Sequence, residues 1–262
     1  MIDRDHSRQE GTVMEGKTER KWYDLKTDGG STAEVWIYEQ IGADFWGEGL
    51  TAKQFVEDIG ALDVDHIALH INSPGGSVFD GQAIFNAIER HPASVTSYVD
   101  GLAASIASVV ALAGDTVEMA TNALFMVHDP YGVAMGTSSD MVQMAGVLDK
   151  VAATIVGIYA AKTGADPEQI AADMAAETWY TAAEALAAGY ADRVGKPVKA
   201  AAMTHFDLSA FRHPPQIAND DDAEDDSAAL GAPDEPPALE AAVLQERISA
   251  RFAGTKALSR RS

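Results

Sequence analysis

Cysteine is absent from the 262 residues. That excludes disulfides, thiolate metal sites and a cysteine nucleophile, and it suits a reducing compartment. Basic side chains are scarce: 19 lysines and arginines face 40 acidic residues, a formal charge of −21 with histidine neutral, so bulk charge excludes a nucleic-acid binder. Long hydrophobic runs are missing too. The longest charge-free apolar stretch, residues 101–114, has 14 residues and is too short to span a bilayer. Residues 1–20 are polar and charged and lack the apolar segment of a secretory signal. The expectation is a soluble cytoplasmic protein with neither a membrane nor a nucleic acid as partner.

What is present divides into four parts. Residues 1–21 mix charges with Gly11 and Gly16 without hydrophobic period and read as a flexible arm. Residues 22–198 alternate apolar runs of strand and helix length with Gly, Asn, Asp and Pro punctuation, the pattern of a layered α/β domain. Residues 199–240 read as a linker and acidic tail, since Asp220 to Glu240 holds nine acidic residues and no basic one. Residues 241–262 regain helical spacing through Val243, Leu244, Ile248 and Phe252 and end in basic Arg260-Arg261, a short helix on a tether.

Inside the body, alternation predicts a strand over 33–39 and helical spacing a helix over 52–62. A strand over 66–71 runs into Asn72-Ser73-Pro74-Gly75-Gly76-Ser77, followed by a helix over 78–90. The unit then repeats: a strand over 95–99, a turn at Asp100-Gly101 and a helix over 104–113. Short strands over 116–119 and 124–127 precede a long helix over 138–162, helices over 167–176 and 182–188, and a last strand over 191–194.

Backbone amides at the Gly75-Gly76 turn and at the start of the second helix are placed to bind an anion. Ser105 falls in the first turn of that helix with the Ile106 amide beside it, where a developing oxyanion would be stabilised. On position alone Ser105 reads better as a small residue in a packed helix, as Ser108 does, than as a nucleophile. His128 ends the apolar strand 124–127 just before Asp129-Pro130, a rigid place for a base, although six other histidines show that the residue type is unselective. Glu177, closing the helix over 167–176, is a carboxylate that would orient an imidazole, or a solvated helix end.

In order, Ile71-Asn72-Ser73-Pro74-Gly75-Gly76-Ser77, Gly101-Leu102-Ala103-Ala104-Ser105 and Met126-Val127-His128-Asp129-Pro130 resemble the Clp protease proteolytic subunit family. The likeness continues through Lys162-Thr163-Gly164, Pro167-Glu168-Gln169-Ile170, Thr178-Trp179-Tyr180-Thr181 and Gly189-Tyr190-Ala191-Asp192, covering about residues 33–194. The resemblance implies an α/β Clp- and crotonase-like layered fold of repeated β-β-α units with a protruding long helix. It implies Ser105 as nucleophile, His128 as general base, and the amides of Gly75, Gly76 and Ile106 as oxyanion hole. It also implies the stretch 131–136 as an edge to which a peptide adds as a strand, a peptide or protein substrate, and a homo-oligomeric ring. No cofactor or metal is implied.

Three features depart from the family's usual pattern. Glu177 stands where the third triad member is usually aspartate, and Asp173, four residues earlier, is the alternative. The spread from Lys199 to Asp222 and the acidic tail are additional. Trp46-Gly47-Glu48-Gly49, with Ser77-Val78-Phe79-Asp80-Gly81 and Tyr98-Val99-Asp100-Gly101, is similar to the Clp-like head maturation proteases of tailed bacteriophages. The narrower expectation is therefore an ATP-independent serine endopeptidase that processes capsid or scaffold proteins, contacting such a partner through the C-terminal tail. The alternatives are a degradative Clp-type subunit working with a separate ATPase and a non-catalytic assembly protein on the same fold. Crotonases share the fold but work without a serine nucleophile. A serine and lysine dyad finds no lysine between Gln54 and Asp149.

Overall fold

The computed structural model describes residues 22–27, 29–42, 51–198, 206–209 and 211–215. Residues 1–21, the Trp46-Gly47-Glu48-Gly49 phrase and residues 216–262, with the acidic tail and short helix, lie outside the described residues.

Apolar β-branched runs build one eight-stranded sheet. Its main path joins β1 (Tyr23–Thr27), β2 (Thr32–Ile37), β3 (His66–Ser73), β4 (Ser94–Ala104), β5 (Thr116–Ala120) and β8 (Arg193–Gly195) in that order. The β1–β2 pair is antiparallel and the others on this path are parallel. β2 alternates buried and exposed residues, whereas β3 is buried nearly throughout, as a strand covered on both faces must be. Strand β4 changes partners along its length: Thr96–Val99 pairs with β5, and Leu102–Ala104 pairs with β6 (Leu124–Val127). The expected turn at Asp100-Gly101 is therefore not formed. The backbone stays extended because the second half of β4 has its own hydrogen-bonding neighbour. β6 in turn pairs antiparallel with β7 (Thr178–Thr181), a strand that its four-residue length hid in the sequence.

Helices α1 (Ala52–Gly60), α2 (Val78–Glu89) and α3 (Ile106–Ala111) pack on the sheet. α1 buries Ala52, Phe55 and Ile59, and α2 buries Gly81, Ile84 and Ile88, the three-and-four spacing of one helical face. Asp80 joins the two, its Oδ1 accepting the Ala52 N–H at 2.9 Å. Gly81 is required by contact, since a Cβ there would lie 2.2 Å from Cγ1 of Ile106.

α4 (Ser138–Thr163) starts with a capping box in which Thr137 Oγ1 accepts the Asp140 N–H and Asp140 accepts the Thr137 N–H; it stops at Gly164 with φ 69°. Only Ile155 and Tyr159 are buried, so the first half stands away from the body with Met141, Val142 and Val147 exposed. By length and composition this helix is apolar enough to cross a membrane. A span would, however, centre Asp149-Lys150 in hydrocarbon, the costliest depth for charge. α5 (Pro167–Ala176) and α6 (Ala182–Ala188) complete the body, capped by Asp166 and by a Thr181–Glu184 capping box. The architecture is α/β with a protruding long helix.

Candidate active site

Strand register brings together residues far apart in the chain. Parallel pairing of Leu102, Ala103 and Ala104 with Leu124, Phe125 and Met126 puts Ser105 and His128 just past the ends of adjacent strands. The Ser105 N–H donates to the Met126 carbonyl at 3.0 Å, and His128 Nε2 lies 2.7 Å from Ser105 Oγ. Antiparallel pairing of Val127 with Thr178 then sets Glu177 opposite His128 when the register is extended by one residue.

Ser105 caps α3 rather than lying in its first turn, with φ 56° and ψ −131°. Among the described residues the only non-glycine positions with positive φ are Ser105 and Glu177 (φ 54°). Such backbone costs about 1–3 kcal/mol per residue and persists only where the surroundings enforce it. For Ser105 they do: Ser108 Oγ, buried in α3, donates to the Ser105 carbonyl at 2.5 Å and meets Tyr159 Oη of α4 at 2.6 Å. This sharp strand-to-helix turn lifts the hydroxyl clear of the sheet.

Gly75 and Gly76 face this turn with φ 97° and 146°. A Cβ on Gly75 would lie 2.7 Å from Cβ of Ser105, and one on Gly76 would lie 2.2 Å from the Ile41 carbonyl oxygen. Of the three amides expected to form an anion hole, that of Gly75 donates to Ser73 Oγ at 3.2 Å, so its role is to hold the turn. The Gly76 and Ile106 amides donate to no acceptor among the described residues, and Ile106 begins α3, where helix N–H groups lack intrahelical partners.

The third group is arranged differently from a hydrogen-bonded triad. Glu177 is buried, and its oxygens accept the Arg212 N–H at 2.8 Å, the His213 N–H at 2.7 Å and the Trp179 indole N–H at 3.3 Å. No hydrogen bond links it to His128 among the described residues; the two interact through charge. Burial pushes the Glu177 carboxyl up, and the amides of Arg212 and His213, the indole and the His128 charge together outweigh it, so the group stays below the usual glutamate range. Burial holds His128 below the ordinary histidine value, Arg212 acts with it, and Glu177 and Asp129 oppose. Asp173 is turned elsewhere, accepting from Gln169 Nε2 at 2.8 Å and Tyr180 Oη at 3.2 Å.

The family model for Clp protease matches residues 18–198. The chain belongs to the Clp protease family. Among curated members, it is 38% identical over 131 residues to the ATP-dependent Clp protease proteolytic subunit 3 of Rhodococcus jostii strain RHA1, covering 49% of this chain and 64% of the relative. It is 37% identical over 132 residues to the ATP-dependent Clp protease proteolytic subunit of Leuconostoc citreum strain KM20, covering 49% and 66%. It is also 33% identical over 130 residues to subunit 1 of Mycobacterium bovis strain ATCC BAA-935, covering 49% and 65%. These alignments thus span slightly under two thirds of each relative's length.

Sequence reasoning missed the contacts that Arg212 and His213 make with Glu177. Backbone amides of Arg212 and His213 leave no side-chain signature, and only the apolar Phe206, Leu208 and Phe211 hinted that this stretch packs.

Proposed function

We propose that the chain is a serine endopeptidase of the Clp type. The observation that carries this reading is the 2.7 Å approach of His128 Nε2 to Ser105 Oγ, on a serine whose backbone is held at φ 56°. Ser105 Oγ attacks the peptide carbonyl carbon while Nε2 takes its proton. The carbonyl oxygen becomes an oxyanion received by the amides of Gly76 and Ile106. Collapse of the intermediate expels the amine, which takes the proton back from Nε2, and water then cleaves the acyl ester by the same route in reverse. Glu177, ionised and buried, stabilises the imidazolium through its charge.

The segment 131–136 supports strand addition of the substrate, since Tyr131, Val133 and Met135 are exposed apolar residues at alternate positions beyond His128. A homo-oligomeric ring is part of the proposal, supported by the exposed apolar face of α4. The 262 residues contain no P-loop, so peptide hydrolysis by these residues is read as ATP-independent. The finer reading is processing of capsid or scaffold proteins during tailed-phage head maturation, in host cytoplasm or inside the prohead, with the tail contacting such a partner. It is supported by the head-maturation-like phrases at 46–49, 77–81 and 98–101 and by the acidic extension after residue 198.

Two experiments test these levels. The purified chain is expected to hydrolyse fluorogenic peptides and to be labelled by a serine-directed phosphonate at Ser105; labelling at Ser108 instead would sink the assignment. Co-expression with a candidate capsid protein, wild type against Ser105→Ala, is expected to give discrete cleavage products by mass spectrometry. Exhaustive degradation dependent on an added ATPase would favour the degradative reading.

A further inference from the structure

Residues 206–209 and 211–215 lie beyond the stretch shared with the family, yet they pack over the site. Phe206, Leu208 and Phe211 form a small apolar cluster with Leu102 and Ala104 of β4, Met126 of β6 and Trp179 of β7. Those are the three strands that end at Ser105, His128 and Glu177. The Phe211 ring stands edge-on to the His128 imidazole, with centroids 5.7 Å apart and planes at 81°, and edge-on to the Trp179 indole at 5.6 Å. The next two amides, of Arg212 and His213, take one oxygen each of Glu177.

We propose that residues 206–209 and 211–215 form a strap that positions the catalytic pair, with the Arg212 and His213 amides holding Glu177 beside His128 and Phe211 fixing the imidazole by its edge. The proposal rests on the Ser105, His128 and Glu177 reading. It makes Phe211 and the two amides positioning groups, since none of them touches Ser105. The strap's hydrogen bonds to the body go to Glu177 and its ring contacts to His128 and Trp179, and among the described residues none of these involves Ser105, Gly76 or Ile106. Its geometry is therefore that of a brace rather than a plug. A carboxylate whose oxygens are both taken by backbone amides cannot rotate, so its charge stays at a fixed distance from the imidazolium that forms during catalysis.

The test uses the full chain. His213→Pro deletes one N–H donor, whereas His213→Ala keeps it and changes only an exposed side chain. His213→Pro is expected to lower kcat about tenfold or more with KM little changed, the loss expected for one hydrogen bond to a charged group. His213→Ala is expected to match wild type. Phe211→Ala removes ring cover and loosens Arg212, both of which depress the His128 pKa, so the acid limb of kcat/KM should move to higher pH; Phe211→Leu, which keeps apolar cover, should restore much of the wild-type profile. The groups facing His128 are Ser105, Asp129 and Tyr131 on its own side and Glu177 and Arg212 across it. NMR titration of His128 in a Ser105→Ala background reads the same shift without catalysis, so failure of the peptidase reading would be distinguishable from failure of the strap. An unchanged His128 titration in Phe211→Ala, wild-type kcat in His213→Pro, or a gain of activity in either would overturn the proposal.

Discussion

Two of the described residues hold backbone angles that side chains normally avoid, and they stand at the two ends of the same chemical group: Ser105 presents the hydroxyl to His128, and Glu177 presents the charge. Strain at Ser105 gives a separable test. Ser105→Ala and Ser105→Gly should both abolish hydrolysis, by about 10⁴-fold or more. The glycine variant should nevertheless unfold at higher temperature than the alanine variant, by about 1 kcal/mol, because only glycine accepts φ 56° freely. Equal melting points would mean that the turn is not strained. His128→Ala should be as inactive as Ser105→Ala. Glu177→Ala should lower kcat more than Asp173→Ala, whose carboxylate serves Gln169 and Tyr180 instead; the reverse ranking would place the orienting carboxylate one helical turn earlier. The base must be neutral to accept the Ser105 proton. Since His128 is held below the ordinary 6.5, activity should fall on acidification with a midpoint below pH 6.5, and a midpoint at or above that value would contradict the buried environment.

Helices α2 and α3 meet at Gly81, and the consequence reaches the proposed anion hole. Gly81→Ala puts a Cβ 2.2 Å from Ile106, so α3 must shift. Overpacking of this kind costs about 1–3 kcal/mol, partly offset by the better helix propensity of alanine. The expected result is a modest fall in melting temperature and a larger fall in kcat, because the Ile106 amide moves with its helix. Ser108→Ala tests the junction of α3 with α4: it strips Tyr159 of its hydrogen-bond partner in the core and leaves the Ser105 carbonyl with the residue 108 N–H alone, so denaturant titration should show a loss of about 1–3 kcal/mol. The outer half of α4 contributes little to the protomer, as its exposed Met141, Val142 and Val147 show.

For the molecule as a whole, that face is the part of the surface that assembly would cover. Light scattering of the full chain at micromolar concentration is expected to give a closed oligomer. Met141→Glu should reduce it to smaller species while circular dichroism stays unchanged, because a side chain 40% exposed in the protomer becomes a buried charge only in an interface. A monomeric wild type, or a Met141→Glu variant that unfolds, would count against the ring.

By itself the sequence determined the order of most elements, and it singled out Ser105 and His128, which the fold brings within 2.7 Å of each other. The apolar periodicity of 52–62, 78–90, 138–162 and 167–176 was long enough to read, and the glycine turn at 75–76 and the strand-ending His128 carry their chemistry in their residue types. The short β7 and the first strand, β1, were not legible, and neither was the continuation of β4 through Asp100-Gly101, since a strand is defined by its neighbours rather than by local spacing. Tertiary structure alone decided which residues of α4 reach the core, that the Gly75 amide is committed to Ser73, and that Glu177 is gripped by amides 35 and 36 residues away. The reason is physical: backbone amides are the same at every position, so which of them meets a given carboxylate depends on the path of the folded chain.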